Sequence, residues 1–186
     1  MASPQTIILI RHGEKPHAGR PPHGVNSHGE HDEHSLSVRG WTRAGALAAM
    51  FAHTPHPSHP LLVAPRRIFA TRSTHIARST REFDTATPIA RRLGLDVDDS
   101  VALGDEAGLA RLLLGHADDA LVVWHHGQLL ELVRALPVVN PEDVPKEWPD
   151  ERFDLYWILT DVGDGAATGP AYRFSVVSQR LLDGDD

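Results

Sequence analysis

The sequence contains no cysteine, which excludes a disulfide framework, a thiolate nucleophile and every cysteine-ligated zinc or iron–sulfur site. Nor does it carry an excess of positive charge. The formal net charge is −7, whereas nucleic-acid binders usually present a basic surface. No apolar run reaches the ~18 residues needed to span a bilayer, and the first residues lack the pattern of a secretory leader. The expectation is a cytoplasmic protein with neither nucleic acid nor membrane as a partner. The 186 residues, 41% of them hydrophobic, suit a single domain over 1–186 with a sizeable core. What the sequence has in quantity is histidine, thirteen against eighteen lysines and arginines together. Either histidine carries chemistry or a loop is simply rich in it.

Residues 6–10, TIILI, form a continuous apolar run rich in β-branched side chains. The run is too short for a helix and reads as a buried, central strand. It stops at Arg11-His12-Gly13-Glu14, and residues 15–34 are a polar stretch of proline, glycine and histidine without periodicity, hence a loop. Ser37 is placed to cap a helix through about residue 51, with Trp41, Ala44, Leu47, Ala48 and Phe51 on one face. A second proline- and histidine-rich loop spans 53–60, and residues 67–70 suit a short strand. The spacing predicts a helix over 73–93 with Ile76, Phe83, Ala86, Ala90 and Leu93 on one side and Gly94 as its C-terminal cap. A short helix at 109–114, a buried strand at 121–124 running into His-Gly, a helix over 128–136 and strands at 153–159 and 172–178 follow. Strands alternate with helices, the pattern of an α/β layered domain.

Two buried strands therefore end in histidine followed by glycine, His12-Gly13 and His126-Gly127. In open α/β sheets ligands bind beyond the carboxyl ends of the strands, and glycine lets the backbone approach them closely. Taken singly, either histidine reads equally well as an ordinary strand-end residue. Arg11 shifts that balance, because guanidinium matches phosphate or carboxylate oxygens and is costly to bury without them. Residues 66–92 hold seven of the eighteen basic residues (Arg66, Arg67, Arg72, Arg78, Arg81, Arg91, Arg92) against Glu82 and Asp84. Such local concentration in an acidic protein points to an anionic ligand. A solvated helix face accounts for Arg91 and Arg92 but less well for Arg81, which lies between the apolar turns carrying Ile76, Ala77 and Phe83.

These residues resemble a known family. Arg11-His12-Gly13-Glu14 after a strand is similar to the RHG motif of the histidine phosphatase superfamily, the phosphoglycerate-mutase-like enzymes. Leu36-Ser37-Val38-Arg39-Gly40 with Ala44 resembles that family's helix start. Ser79-Thr80-Arg81 followed by Thr85-Ala86 resembles the helix supplying a second catalytic arginine, and Ile89-Ala90 to Leu93-Gly94 resembles its ending. Val122 to Gly127 resembles the strand supplying a second histidine. Residues 148–154, WPDERFD, also resemble a small bacterial and fungal subgroup. The ordered set covers the chain from its first strand to about residue 136.

The resemblance implies a three-layer α/β/α sandwich with a mostly parallel central sheet. It implies a phosphomonoesterase in which His12 is the nucleophile and becomes a transient phosphohistidine, while Arg11, Arg81 and His126 bind the phosphate oxygens. Two guanidiniums and a second imidazole supply the positive field, so neither metal nor cofactor is expected, and the same field favours neutral imidazole at His12. Asp105 and Glu106 are the candidates for protonating the leaving group; the local GDEAG departs from the expected motif, so either or neither serves, and both also fit solvated loop carboxylates. Glu14 is equally an orienter of His12 or of a water and a plain loop residue. Trp124 and His125 flank His126, and His125 is its rival; the following glycine favours His126.

Three other readings compete. His28, His31 and His34 alternate with Glu30, Asp32 and Glu33, a composition suited to zinc or nickel in a metal-binding module. Three-residue spacing gathers histidines only on a helix, however, and Gly29 argues against one, so a solvated loop or a lid is the simpler reading. A mutase would need extensive lid segments to keep water from its phosphoenzyme, and the chain offers few. A binding-only relative is disfavoured by the intact quartet Arg11, His12, Arg81 and His126. The expected partner is a small phosphorylated substrate, with a phosphoprotein as the alternative, selected by the loops at 15–34 and 97–108. Phe153, alternating with Leu155, Trp157 and Leu159, is expected to face the core.

Overall fold

In chain order the elements are β1 (Thr6–Arg11), β2 (Gly24–Val25), β3 (Leu36–Ser37), α1 (Val38–Phe51), β4 (Arg67–Ala70), α2 (Arg81–Leu93), β5 (Val97–Asp98), α3 (Glu106–Leu114), β6 (Ala120–Trp124), α4 (His126–Arg134), β7 (Leu155–Asp161) and β8 (Tyr172–Ser178). They are taken from a computed structural model that describes residues 3–74, 78–163 and 169–186. The main sheet has the order β5-β4-β6-β1-β7-β8, and β2 and β3 form a small ribbon apart from it. β1 pairs in parallel with β6, which pairs in parallel with β4, as β4 does with β5. β7 is antiparallel to both β1 and β8, so it alone runs against the others.

β1 is buried along its whole length, as an uninterrupted apolar strand is when both faces of its sheet are covered. Because successive side chains point to opposite faces, Ile8, Ile10, Leu121, Val123, Ile68 and Ala70 pack with Leu47, Phe51, Ala86 and Ile89 of α1 and α2. Ile7, Leu9, Val122 and Trp124 pack on the other side with Leu109, Leu113, Leu129 and Leu132 of α3 and α4. The result is a three-layer α/β/α sandwich around a mostly parallel sheet. Parallel register sets Arg11 beside Trp124, so His12 and the pair His125-His126 emerge at the same carboxyl edge.

α1 begins as the sequence indicates, with Ser37 Oγ accepting the Gly40 amide at 3.2 Å. Its buried stripe differs in two places. Trp41 is only half-buried and donates its indole N–H to the Val25 carbonyl at 2.8 Å. Arg43, at 2% exposure, occupies the stripe instead. α2 starts at Arg81 rather than 73; Ile76 and Ala77 fall outside the described residues. Tertiary bonds override periodicity here, because the Thr80 amide donates to the His34 carbonyl at 3.1 Å and commits that stretch to the preceding loop. In the resulting phase Glu82, Thr85, Ala86 and Ile89 are buried and Phe83 is exposed, contrary to the expected stripe. Gly94 closes the helix in the left-handed region at φ 69°. α4 begins at His126, two residues before the expected start, since His125 Nδ1 caps the helix by accepting the Gly127 amide at 3.3 Å.

Arg43 ties this frame together. Its Nη2 lies 2.8 Å from the Glu14 carboxylate and 2.7 Å from that of Asp185, and Nη1 donates to Gln179 Oε1 at 3.0 Å. Glu14 is further held by Arg39 at 3.1 Å, so its carboxylate serves this network rather than His12. Burial acts to raise the Asp185 pKa, but the Arg43 bond and the amides of Leu182 and Leu181 outweigh it and bring it down to about 2. A carboxylate with a depressed pKa contributes stability that is complete above its unfolded value and is lost as pH falls through the folded one. Replacing Arg43 by Met removes the buried cation from two carboxylates, leaves them only the more exposed Arg39, and is expected to cost about 3–5 kcal/mol. Urea unfolding at neutral pH measures that loss. Unfolding between pH 4 and pH 2 should show wild-type stability falling toward the acid end and a smaller fall in Asp185→Asn.

Candidate active site

Arg11 ends β1, and His12 follows it into the loop at 3% exposure. Gly13 then passes so close to α1 that a Cβ on it would lie 2.7 Å from the Gly40 carbonyl oxygen, while one on Gly40 would lie 2.5 Å from that of Glu14. Both positions therefore require glycine. The Gly13 amide donates to Thr85 Oγ1 at 2.9 Å, and that hydroxyl donates to the Arg81 carbonyl at 2.7 Å. The Gly13 carbonyl lies 2.6 Å from His12 Nδ1. A carbonyl only accepts, so Nδ1 carries the proton and Nε2 keeps its lone pair. Burial, opposed by the Gly13 carbonyl and reinforced by the charges of Arg11 and Arg81 and by His126, holds the His12 pKa well below the ordinary histidine range.

Arg11 is 1% exposed. Nη1 donates to the Asp150 carbonyl at 2.6 Å and to that of Arg152 at 3.3 Å, Nη2 lies 3.3 Å from His126 Nδ1, and the guanidinium carbon stands 3.9 Å over the Phe153 ring. Among the described residues no carboxylate forms an ion pair with it, and its buried Nε has no hydrogen-bond partner. Burial, opposed by the acidic groups of Asp150, Glu151, Glu82 and Glu14, lowers its pKa to about 10, so the guanidinium stays charged at neutral pH. A buried cation with an unused donor is an incomplete arrangement that an anion completes.

His126 opens α4. Since Arg11 donates to its Nδ1, the ring proton sits on Nε2, which lies 3.2 Å from a carboxylate oxygen of Asp150. Burial, the Arg11 charge and His125 lower its pKa to about 4, against the pull of Asp150. The ring stacks on His125 at 4.6 Å, and its centroid is 6.3 Å from that of His12. His125 itself is spent on capping α4. Arg81, the first residue of α2, donates from Nε to the Ser35 carbonyl at 3.1 Å and from Nη2 to the Glu33 carbonyl at 2.5 Å. Burial lowers its pKa, opposed by Glu82, Asp32, Glu33 and Asp84.

Of the other basic residues of 66–92, Arg67 pairs with Asp98 at 3.2 Å, Arg72 donates to the Ser100 carbonyl at 2.8 Å, Arg66 and Arg78 are exposed, and Arg91 and Arg92 are exposed in the last turn of α2. Asp105 caps α3 by accepting the Gly108 amide at 3.0 Å. Glu106 is buried, and one of its oxygens accepts the Gly104 amide at 3.0 Å and the Trp124 indole N–H at 3.1 Å. Trp124 is thus a packing residue that orients a carboxylate. Two members of the site were missed in the sequence, Asp150 and Phe153. Phe153 precedes β7 instead of joining its alternation, and its ring lies 5.9 Å from that of His12. The signal for both was the WPDERFD stretch, where polar residues interrupt the approach to an apolar strand.

The arrangement offers one neutral imidazole nitrogen flanked by a guanidinium and a second imidazole, with Arg81 close enough to repel a proton from it. NMR titration should find His126 still neutral at pH 5, in keeping with a pKa near 4, and His12 titrating well below the ordinary histidine range. Because both must gain protons on unfolding, they should also lower stability progressively as pH falls below about 6.5. Titration of either ring near 6.5 contradicts the geometry.

No protein-family model matches this sequence, and comparison with curated proteins finds no match. Solved structures do resemble it. The "putative phosphohistidine phosphatase SixA" from Agrobacterium tumefaciens is 15% identical, with a TM-score of 0.52 over 84% of this chain and 92% of that one. Mycobacterial hydrolase 2 is 17% identical, with a TM-score of 0.53 over 96% of this chain and 92% of that one. Mycobacterial hydrolase 1 is 17% identical, with a TM-score of 0.51 over 96% and 99%. What they share with this chain at such identities is architecture: it has a phosphoglycerate-mutase-like α/β/α fold.

Proposed function

We propose that this protein is a phosphomonoesterase of the histidine phosphatase type, acting through a covalent phosphohistidine on His12 and routing no step through a metal ion. The observation that carries the reading is the buried, neutral His12, its Nδ1 proton held by Gly13 and its Nε2 left as the nucleophile. In the first step Nε2 attacks phosphorus, the bond from phosphorus to the leaving group breaks, and that group departs with the electron pair. In the second, a water oxygen attacks phosphorus, the phosphorus–nitrogen bond breaks, and Nε2 regains its lone pair as inorganic phosphate forms. Phosphoryl transfer asks mainly for positioning and charge stabilisation. Arg11, Arg81 and the His126 Nε2 proton supply both, with the unused Arg11 Nε available to a phosphate oxygen. The exposed Asp150 carboxylate gives up its place at His126 to the phosphate.

Asp105 and Glu106 are committed to a helix cap and to an indole, so neither is assigned the leaving-group proton. Substrates whose leaving group needs little acid assistance, an aryl oxygen or a ring nitrogen, fit that arrangement best. The likeness to a protein described as a phosphohistidine phosphatase supports the nitrogen class, and a small phosphorylated metabolite remains within the same chemistry. His12→Ala is expected to reduce hydrolysis of an aryl phosphate by at least about a thousandfold with the fold intact, and Arg81→Gln by about 10²–10³-fold. Alkaline quenching of the wild type should trap a phosphorylated His12. Turnover by His12→Ala in the presence of chelator would sink the proposal. Asp105→Ala should cost about 1 kcal/mol of stability through the lost cap and leave kcat unchanged; a hundredfold drop in kcat would restore it as the acid.

A further inference from the structure

The loop at 15–34 has an ordered turn that its composition does not reveal. Asn26 organises it: its amide donates to the Glu30 carbonyl at 2.9 Å, and its side-chain oxygen accepts the amides of His28 at 2.9 Å and Glu30 at 3.0 Å. The Asp32 amide donates to the Gly24 carbonyl at 2.9 Å, and Val25 faces His31 in an antiparallel bridge. In that register His23 stands opposite Glu33, and His31, two residues from Glu33, projects from the same face. His31 Nε2 lies 2.8 Å and His23 Nδ1 3.6 Å from the same Glu33 oxygen, and the two rings are 5.4 Å apart. One ligand atom from each of the three falls within 4.8 Å of the others. His28 and His34, the partners that sequence spacing suggested for His31, are not part of this group.

We infer that His23, His31 and Glu33 form a binding site for a divalent transition-metal ion of the zinc or nickel class, which clasps the two arms of this turn. Two imidazoles and a carboxylate favour such ions over magnesium or calcium, which prefer all-oxygen shells. Metal–ligand bonds of about 2.0–2.2 Å set neighbouring ligand atoms about 3.3–3.5 Å apart in a tetrahedral site. The three groups reach that spacing by small movements of side chains that are 46%, 63% and 38% exposed. The fourth position is then open to water. The clasp bears on the cleft through Glu33, whose carbonyl accepts the Arg81 guanidinium, and through His34, whose carbonyl accepts the Thr80 amide. An ion held by the Glu33 side chain therefore fixes the turn that carries part of Arg81's hydrogen bonding. No catalytic step uses this ion, and the site stands whether or not His12 is a nucleophile.

Calorimetric titration of metal-stripped full-length protein with zinc chloride tests it. One zinc per chain is expected. Loss of a ligand should cost at least as much as loss of an outer-shell partner, about 10–100-fold in affinity, so His23→Ala and His31→Ala should each weaken binding by about a hundredfold or abolish it. His28→Ala and His34→Ala should bind as the wild type does. All four positions are solvent-facing, and circular dichroism checks that the variants fold. Zinc should also slow amide exchange at Val25 and Asp32 in the wild type but not in His31→Ala. Absence of zinc uptake, or uptake undiminished in His23→Ala and His31→Ala, overturns the inference, since the ion is then bound nowhere or by other histidines.

Discussion

The backbone of Gly13 is the point on which the cleft depends. Its amide is bound by Thr85 from α2, its Cα lies against the carbonyl of Gly40 in α1, and its own carbonyl holds the His12 ring. Three elements are thereby brought to one peptide, and a side chain at either glycine would force them apart. The hydrogen bond to Nδ1 then decides the chemistry available at His12, because only with that proton in place does Nε2 carry a free lone pair. Glu14, the next residue, continues the same logic into the frame. Its carboxylate is gripped by Arg39 and Arg43, so the loop that presents His12 is anchored at a buried ion pair.

Two buried arginines show how a structural and a functional cation differ. Arg43 has carboxylates of Glu14 and Asp185 within 2.8 Å, and these bonds outweigh burial and raise its pKa. Arg11 is buried as deeply, yet its partners are backbone carbonyls and an imidazole, and burial lowers its pKa to about 10. Charge left uncompensated in a low-dielectric site costs several kcal/mol unless an ion joins it. The fold therefore holds one guanidinium paired with carboxylates and one that, among the described residues, has no carboxylate in an ion pair with it. That contrast, more than the abundance of arginine between residues 66 and 92, is what supports the proposed anion site at Arg11; from that stretch, Arg81 acts electrostatically on His12.

The parts of this fold readable in the sequence were those fixed by short-range patterning. The TIILI strand, the Ser37 cap, the left-handed Gly94 and the strand leading to His126 each depend on a few adjacent residues, and each lies where the pattern placed it. The start of α2 was not readable, because the carbonyls of Glu33, His34 and Ser35 that receive the Arg81 and Thr80 donors come from a loop 46 to 48 residues away in sequence. Arg43 was invisible for a related reason: a charged residue within an apolar stripe looks like its edge until its two carboxylate partners arrive from distant segments. Phe153 was misassigned because strand alternation extrapolated naturally by one more step. His23 carries no sequence signal of its place in this group, because an antiparallel turn gathers residues by register and not at helical spacing.

The segment over Arg11 explains why that guanidinium is so deeply buried. The Trp148 indole donates to the Arg152 carbonyl at 2.7 Å, the same carbonyl that Arg11 reaches, and the Arg152 side chain pairs with Asp154 at 2.7 Å. Asp154 in turn accepts through its carbonyl the Gln179 amide, beside the strand β8. The cover is thus pinned at Trp148 in the core and at Asp154 near β8, leaving Asp150 between them at the tip of the turn. Its carbonyl faces Arg11 and its carboxylate faces His126. The exposed Asp150 side chain thus meets His126 while its backbone meets Arg11, and neither anchor depends on that carboxylate. Under the proposed phosphatase reading, the backbone of Asp150 keeps Arg11 covered while its side chain is the group a phosphate displaces.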